Sequence, residues 1–130
     1  MADEDSAKYR VAVASTDGET VNQHFGKAEK FYIYLVDDAV GYDLVEERTV
    51  EAICSNQSHL VLEMEEKTKQ FADCKYVVVS KIGIGASQHL AAKGITSLEL
   101  PGVIDDAMVK VWKYNRILGL TGMNKNLFEV

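Results

Sequence analysis

His24 is the side chain in this sequence whose type and setting best suit chemistry. It lies in a polar loop at residues 15–27, beside Asn22, Gln23 and Gly26. A neutral imidazole in such a loop can ligate a soft or borderline metal, and a charged imidazole can pair with an anion. The loop exceeds the roughly two to five residues of a tight hairpin, and extra length of this kind usually has a function. A solvated or capping histidine is the alternative interpretation.

A Gly-x-Gly turn within residues 81–87 is the second feature that could do chemistry. It follows a buried-strand pattern and opens a predicted helix, so its backbone N–H groups, aided by the helix dipole, could face an anion. The turn lacks the third glycine of a dinucleotide fingerprint and the Gly-Lys-Ser/Thr of a nucleotide P-loop, which argues against nucleotide binding. Glycines that only permit a tight strand-to-helix turn are the alternative.

The cysteines and the other histidines are weaker candidates. Cys54 and His59 form a Cys-x4-His pair at the predicted start of a helix, where the helix terminus favours a thiolate. Two ligands cannot close a structural zinc site, and a small residue in a strand–helix connection is the alternative for Cys54. Cys74 and His89 are predicted to be structural, Cys74 because it stands between a helix end and a buried strand.

Enzymatic catalysis finds little support in the sequence. A two-metal nuclease needs several carboxylates converging on the sheet, and Asp17 is the only carboxylate at the expected strand end. No Gly-x-Ser-x-Gly nucleophile elbow is present. A phosphoester hydrolase that uses Asp17 with a divalent ion remains as a rival prediction.

The hydrophobic pattern predicts an α/β domain with the element order βββαβαβα. Runs of apolar and β-branched residues predict five strands, and apolar residues at helical spacing predict three helices. The strands are predicted at residues 9–15, 30–36, 42–50, 75–80 and 95–100, and the helices at residues 60–72, 87–93 and 104–116. Early strands joined by short connections favour antiparallel pairing, whereas the later β-α-β units require parallel crossovers.

The strands are expected to form one mixed, five-stranded sheet between helical layers, in a ribonuclease-H-like arrangement with the first strand at the centre. Ligands of open α/β sheets bind beyond the carboxyl ends of strands where the winding direction reverses, here between the first and fourth strands. The loop at residues 15–27 and the turn at residues 81–87 both leave the sheet at that point. On the first helix, Lys67 is assigned to the polar face, opposite Leu60, Met64, Thr68 and Phe71.

Composition narrows the range of functions. The chain has 130 residues, of which 47% are hydrophobic and 26% charged, and its 14 basic and 20 acidic residues give a formal net charge of −6. This balance argues against electrostatically driven nucleic-acid binding. No apolar run approaches the roughly 18–20 residues that span a bilayer.

Length and cysteine usage suggest one reduced, cytoplasmic domain. Two cysteines are too few for a disulfide framework, and the acidic start lacks a secretory pattern. The domain is expected at residues 9–116, between a flexible acidic tail at residues 1–8 and an unassigned segment at residues 117–130.

The stretch from Val11 to Tyr34 carries a family pattern. Asp-Gly at residues 17–18 is followed by His-Phe-Gly at residues 24–26, and stretches at residues 82–86 and 93–95 fit the same pattern. These residues resemble the dinitrogenase iron–molybdenum cofactor biosynthesis family, the NifX-like domain that also occurs at the C-terminus of NifB-type proteins. The resemblance covers about residues 9 to 115.

The resemblance implies a ribonuclease-H-like domain that binds or carries a metal–sulfur cluster. His24 would be the cluster-side metal ligand, and Cys54 a second ligand that no family motif matches. The residues expected to bind the cofactor beside His24 are Ser15, Asp17, Gly18, Lys81, Gly83, Gly85 and Ser87. Because such clusters are anionic and the chain is acidic, Lys27 and Lys81 would have to make the mouth locally positive.

The predicted function is therefore binding, storage or delivery of an iron- or molybdenum-containing sulfur cluster, without enzymatic turnover. The implied partners are cofactor-assembly proteins or an apo-metalloenzyme, rather than nucleic acid or a membrane, and the expected state is a monomer or weak homodimer. The radical-SAM cysteine triad of the fused synthases is absent, so the chain is not expected to build the cluster core. A regulatory or scaffold domain that binds no metal is the main alternative.

Overall fold

Seven strands and three helices make up the part of the chain that the computed structural model describes, residues 8–53 and 60–122. The strands are β1 Lys8–Ala14, β2 Thr20–Val21, β3 Lys30–Asp37, β4 Gly41–Thr49, β5 Tyr76–Val79, β6 Thr96–Glu99 and β7 Gly102–Val103. The helices are α1 Leu60–Lys69, α2 Ile84–Ala92 and α3 Ile104–Gly122. No helix within these residues is both long and apolar enough to cross a membrane.

Five of the strands form one mixed sheet in the order β4-β3-β1-β5-β6. Strand β1 pairs antiparallel with β3 and parallel with β5, so that Val13 lies between Tyr32 and Val78. Strand β4 pairs antiparallel with β3, and β6 pairs parallel with β5. The prediction of a mixed, five-stranded sheet with three helices is confirmed. Because β1 and β5 are parallel neighbours, the segments that follow them leave from the same edge of the sheet.

The apolar run of β1 is buried on both faces because helices cover both sides of the sheet. Ala12 and Ala14 belong to a core that also holds Phe71 before β5 and Leu90 of α2. Val11 and Val13 belong to a second core, closed by side chains of α3: Ile104, Ala107, Met108 and Val111. Successive side chains of a strand point to opposite faces, which explains this alternation. The sheet therefore lies between α1 and α2 on one side and α3 on the other.

Strands β2 and β7 form a separate two-stranded sheet that the sequence did not predict. Thr20 pairs with Val103, Val21 pairs with Gly102, and the Ile104 N–H donates to the Glu19 carbonyl at 2.8 Å. Two-residue strands are too short to show a period of two, so the hydrophobic pattern could not reveal them. This small sheet ties the loop after β1 to the start of α3.

All three helix predictions are wrong at one end, and α1 ends at Lys69 rather than at residue 72. Helix α2 begins at Ile84 rather than at Ser87, and α3 continues to Gly122 rather than ending near Asn115 or Arg116. The last turns of α3 carry exposed apolar side chains, including Ile117 at 58% exposure, so no amphipathic stripe marks them in the sequence. Residues 1–7, where the acidic tail was predicted, lie outside the described residues.

Candidate functional site

Backbone contacts hold the loop of His24 against the end of β5. His24 forms a parallel bridge with Lys81. The Phe25 N–H donates to the Lys81 carbonyl at 2.9 Å, and the Ser80 N–H donates to the Gln23 carbonyl at 3.0 Å. The segment around His24 thus pairs in parallel with the residues that directly follow β5.

Phe25 fixes the direction in which His24 points. The Phe25 side chain is fully buried, with its ring centre 6.1 Å from that of Phe31 and 6.0 Å from that of Phe71. Adjacent side chains in an extended segment point to opposite sides, and His24 is correspondingly exposed. The His24 carbonyl also accepts from the N–H groups of Lys27 and Ala28, at 3.1 and 3.0 Å. The imidazole therefore stands in solvent on a backbone that is held on both sides.

His24 borders an open groove of about 330 Å³ together with the glycine turn. The groove is lined by His24, Phe25, Gly26, Lys81, Ile82 and Gly83. His24, Lys81 and Gly83 are all exposed there. The structure thus brings together three of the predicted site residues, one from the loop after β1 and two from the turn after β5. Lys27 is exposed but does not line the groove.

The amino end of α2 contributes a partial positive charge to this groove. Gly83 is the N-cap residue in extended conformation, with φ −73° and ψ 158°, and no side chain caps the helix. The first N–H groups of a helix have no partner within the helix, and they carry the positive end of its dipole. One carboxylate lies close by, since the Ile82 N–H donates to Glu99 Oε2 at 2.9 Å. The positive charges of Lys81 and of the helix terminus therefore lie near the carboxylate of Glu99.

Ser15 and Asp17 build the turn after β1 and do not line the groove of His24. The buried Ser15 hydroxyl accepts from the Gly18 N–H at 2.9 Å and donates to Asp17 Oδ1 at 3.0 Å. Asp17 Oδ1 also accepts from the N–H groups of Glu19 and Thr20, each at 2.9 Å. These backbone hydrogen bonds lower the pKa of Asp17 to about 2. The carboxylate is thus engaged by its own turn.

Gly18 completes this turn in a conformation that favours glycine. Its φ is +75°, and a Cβ placed there would lie 3.1 Å from Cζ of the Tyr32 ring. Positive φ and a close aromatic neighbour both disfavour a side chain at this position. The Asp-Gly pair, which the family pattern includes, therefore has a local structural explanation.

Gly85 and Ser87 lie on α2 outside the lining of the groove and hold the helix in place. A Cβ on Gly85 would lie 3.3 Å from the Met64 methyl group of α1, so the glycine permits a close approach of the two helices. The Ser87 hydroxyl accepts from Ser97 Oγ of β6 at 3.2 Å. The structure therefore does not bring these two side-chain positions to His24.

The cysteines and His89 divide between described and undescribed parts of the chain. Cys54 and His59 lie outside the described residues, so the ligand role predicted for Cys54 stays a prediction. Cys74 is buried, as predicted, and its burial raises the pKa of the thiol to about 12. His89 Nδ1 lies 3.0 Å from the Gly85 carbonyl, one helical turn earlier. Within residues 8–53 and 60–122, no three His, Cys, Asp or Glu side chains converge as a metal site.

Lys67 is a buried neighbour of the site, so its predicted place on the polar face of α1 is wrong. It is only 4% exposed, and its ammonium donates to the Ala28 carbonyl at 2.6 Å and to the Gly26 carbonyl at 3.3 Å. It also lies 5.3 Å from the centre of the Phe25 ring. The sequence spacing indicates this burial, because Lys67 follows Met64 by three residues and precedes Phe71 by four, as a core-facing residue would. Lys67 joins α1 to the loop that carries His24.

Comparisons with known proteins agree on one family. The family profile described as "Dinitrogenase iron-molybdenum cofactor" matches residues 7–114. A protein of Frankia alni called "FeMo cofactor biosynthesis protein NifB" is 34% identical over 105 residues, which are 78% of this chain and 20% of that protein. The protein of the same name from Klebsiella pneumoniae is 36% identical over 92 residues, 65% of this chain and 19% of that protein. The chain thus spans about a fifth of the length of these relatives.

A solved structure shares the fold. The protein described as "Crystal structure of PH0822" superposes with a TM-score of 0.57 over 80% of this chain and 88% of its own, at 23% sequence identity. At this identity the likeness concerns the arrangement of the chain, and a fold by itself does not define a function.

Proposed function

Because this chain belongs to the dinitrogenase iron–molybdenum cofactor family, we propose that it binds, stores or delivers a metal–sulfur cluster or a precursor of one. Family membership implies involvement in iron–molybdenum cofactor biosynthesis. The finer proposal is that the chain acts as a non-enzymatic carrier. Its mixed five-stranded sheet, which we propose to be of the ribonuclease-H-like type, would serve as a rigid support for a labile, solvent-exposed binding site.

The observation that carries the proposal is the meeting of His24 with the amino end of α2 at one open groove. An exposed imidazole can ligate iron or molybdenum-associated metal ions through a ring nitrogen. Sulfur-containing clusters are anionic, and the uncapped helix terminus together with Lys81 supplies positive charge at the same groove. An open groove with few protein ligands suits a carrier, since a carrier must release what it binds.

The proposed ligand set combines His24 with Cys54. Thiolates and imidazoles are both common ligands of metal–sulfur clusters, and a second protein ligand would raise the affinity of a site that is otherwise open. Backbone N–H groups of the turn at Gly83 would donate to cluster sulfides, and Ser15, Asp17 and Gly18 would keep the neighbouring loop in shape. Cys54 lies outside the described residues, so its part in the set is tested by substitution alone.

The proposed partners are the cofactor-assembly proteins or the apo-metalloenzyme that would give or receive the cluster. In a cytoplasmic setting, a monomer or weak homodimer would leave the groove open for such an exchange. The hydrolase alternative has less support, because the Asp17 carboxylate that it requires accepts hydrogen bonds from Ser15, Glu19 and Thr20 of its own turn.

Elemental analysis of the protein isolated without oxygen tests the proposal. We expect iron and acid-labile sulfide, with or without molybdenum, in stoichiometric amounts, together with sulfur-to-metal charge-transfer absorption after anaerobic reconstitution. Repeated anaerobic preparations that contain neither metal nor sulfide, and that take up neither on reconstitution, would favour a regulatory or scaffold domain instead.

A further inference from the structure

A basic pocket lies at the edge of the sheet opposite the His24 groove. Among the residues that the structure describes, this pocket of about 530 Å³ is bordered by four cations, Lys8, Arg10, Lys75 and Lys93, and by one carboxylate, Asp73. Such a concentration of positive charge is unexpected in a chain whose formal net charge is −6. It is therefore a local feature that the overall composition conceals.

Within the described residues, the four cations differ in how far acidic side chains neutralise them, and Lys8 has Asp37 as its register partner on β3. Asp73 is held by Arg48, whose two terminal nitrogens donate to Oδ1 and Oδ2 at 3.0 and 2.9 Å. Arg10 reaches the same carboxylate only at 3.9 Å. Lys93 is paired with Glu65 at 2.9 Å. The Lys75 ammonium has aromatic neighbours, 5.3 Å from the Tyr9 ring centre and 5.7 Å from that of Tyr76.

The backbone sets these cations at the spacing of an extended chain. Lys8 and Arg10 are two residues apart on β1, so their side chains share one side and stand about 7 Å apart along the strand. The Lys75 N–H donates to the Arg10 carbonyl at 2.8 Å, which places Lys75 one strand away. Alternate carboxylates along an extended peptide have the same spacing of about 7 Å.

We propose that the basic pocket is a docking surface for an extended acidic segment of a protein partner, with Lys8, Arg10 and Lys75 pairing with its carboxylates. Strand β1 runs from this pocket to the loop of His24, over about 20 Å. A partner held at the basic pocket would thus leave the groove accessible. The inference stands on the charges and spacing of this edge and does not depend on the proposed cluster site.

A labelled acidic peptide tests the docking surface on the full chain. Fluorescence anisotropy of fluorescein-labelled octaglutamate, with octaglutamine as the uncharged probe, should show saturable binding of the acidic peptide alone, weakened by salt. Removing two exposed positive charges with Lys8→Ala/Lys75→Ala should lower the affinity for the acidic peptide about three- to tenfold, the effect expected from the loss of two surface ion pairs with the peptide. The matched control is Lys110→Ala/Lys113→Ala on the exposed side of α3, which removes the same charge elsewhere and should change the affinity less than twofold.

Three outcomes would overturn the proposal. Equal weakening by both double variants would mean non-specific attraction. If pyrophosphate displaces the peptide and binds the protein as tightly as the peptide does, the pocket is a small-anion site. Binding that appears only after Asp3→Asn/Glu4→Gln/Asp5→Asn would identify the chain's own acidic start as the occupant, rather than a partner. Amide chemical-shift changes confined to the four basic residues and their neighbours would support the partner.

Discussion

The exposure of His24 follows from the burial of the residue beside it. Phe25 is fully buried against Phe31 and Phe71, and the parallel bridge of His24 with Lys81 keeps this segment extended. The imidazole is therefore directed to solvent by packing and by backbone pairing. In the neighbouring turn, the Ser15 hydroxyl donates to Asp17 Oδ1 and accepts from the Gly18 N–H.

The pH dependence of stability tests the role of Asp17. Backbone N–H groups of Glu19 and Thr20 lower its pKa to about 2 from an ordinary value of 3.8. A carboxyl whose pKa is lower in the folded state stabilises that state when ionised, so its contribution is present above about pH 4 and is lost as the pH falls to 2. In Asp17→Asn, the urea midpoint should fall below that of the wild type at pH 6, and the two curves should converge near pH 2. A gap that stays constant from pH 6 to pH 2 would contradict this role.

At the scale of elements, the sequence predicted the strands and helices that are long enough to show a hydrophobic pattern. The buried runs of β1 and β5 and the aromatic run of β3 were visible, and the rule on carboxyl ends of strands anticipated that the two segments after β1 and β5 meet. Strands β2 and β7 were not visible, because two residues carry no period. The separation of the Asp17 turn from the groove was also beyond prediction, since it depends on which N–H groups the Ser15 and Asp17 oxygens accept from.

The residue type of Lys67 predicted the polar face of α1, whereas its spacing from Met64 and Phe71 predicted the core face. Lysine is rarely fully buried, which favoured the polar face. In the structure its ammonium donates to the carbonyls of Ala28 and Gly26 and lies 5.3 Å from the centre of the Phe25 ring, and the residue is only 4% exposed. The contact between α1 and the loop of His24 was therefore missed.

Replacing Lys67 tests this contact between elements. Lys67→Met keeps most of the apolar stem and removes the donor to the Ala28 carbonyl, so the free energy of unfolding should fall by about 1.5–3 kcal/mol, the range for a hydrogen bond with a charged donor. Lys69→Met is the matched control on the same helix. Lys69 is exposed and pairs with Glu66 at 3.6 Å, so its loss should cost less than about 1 kcal/mol. Urea unfolding that gives equal losses for the two variants would contradict the account.

At the scale of the whole molecule, the two edges of the sheet carry different chemistry. The carboxyl edge holds the groove of His24, Lys81 and the amino end of α2, and the opposite edge holds the basic pocket around Arg10. Both features are lined by basic side chains, although the chain is acidic overall. This separation would let the chain present a bound cluster at one edge while a partner engages the other.

The most direct test of the carrier proposal is anaerobic reconstitution of His24→Ala beside the wild type and His89→Gln. All three proteins would receive ferrous iron and sulfide, with and without molybdate, and bound metal would be measured by elemental analysis and visible absorption after removal of the excess. We predict that His24→Ala keeps its far-UV circular dichroism and its urea midpoint but loses affinity for the cluster at least about tenfold, as expected when a metal site loses an anchoring group. His89→Gln should load as the wild type does. Equal loading of all three proteins would contradict the central claim that the exposed imidazole beside α2 holds the cluster.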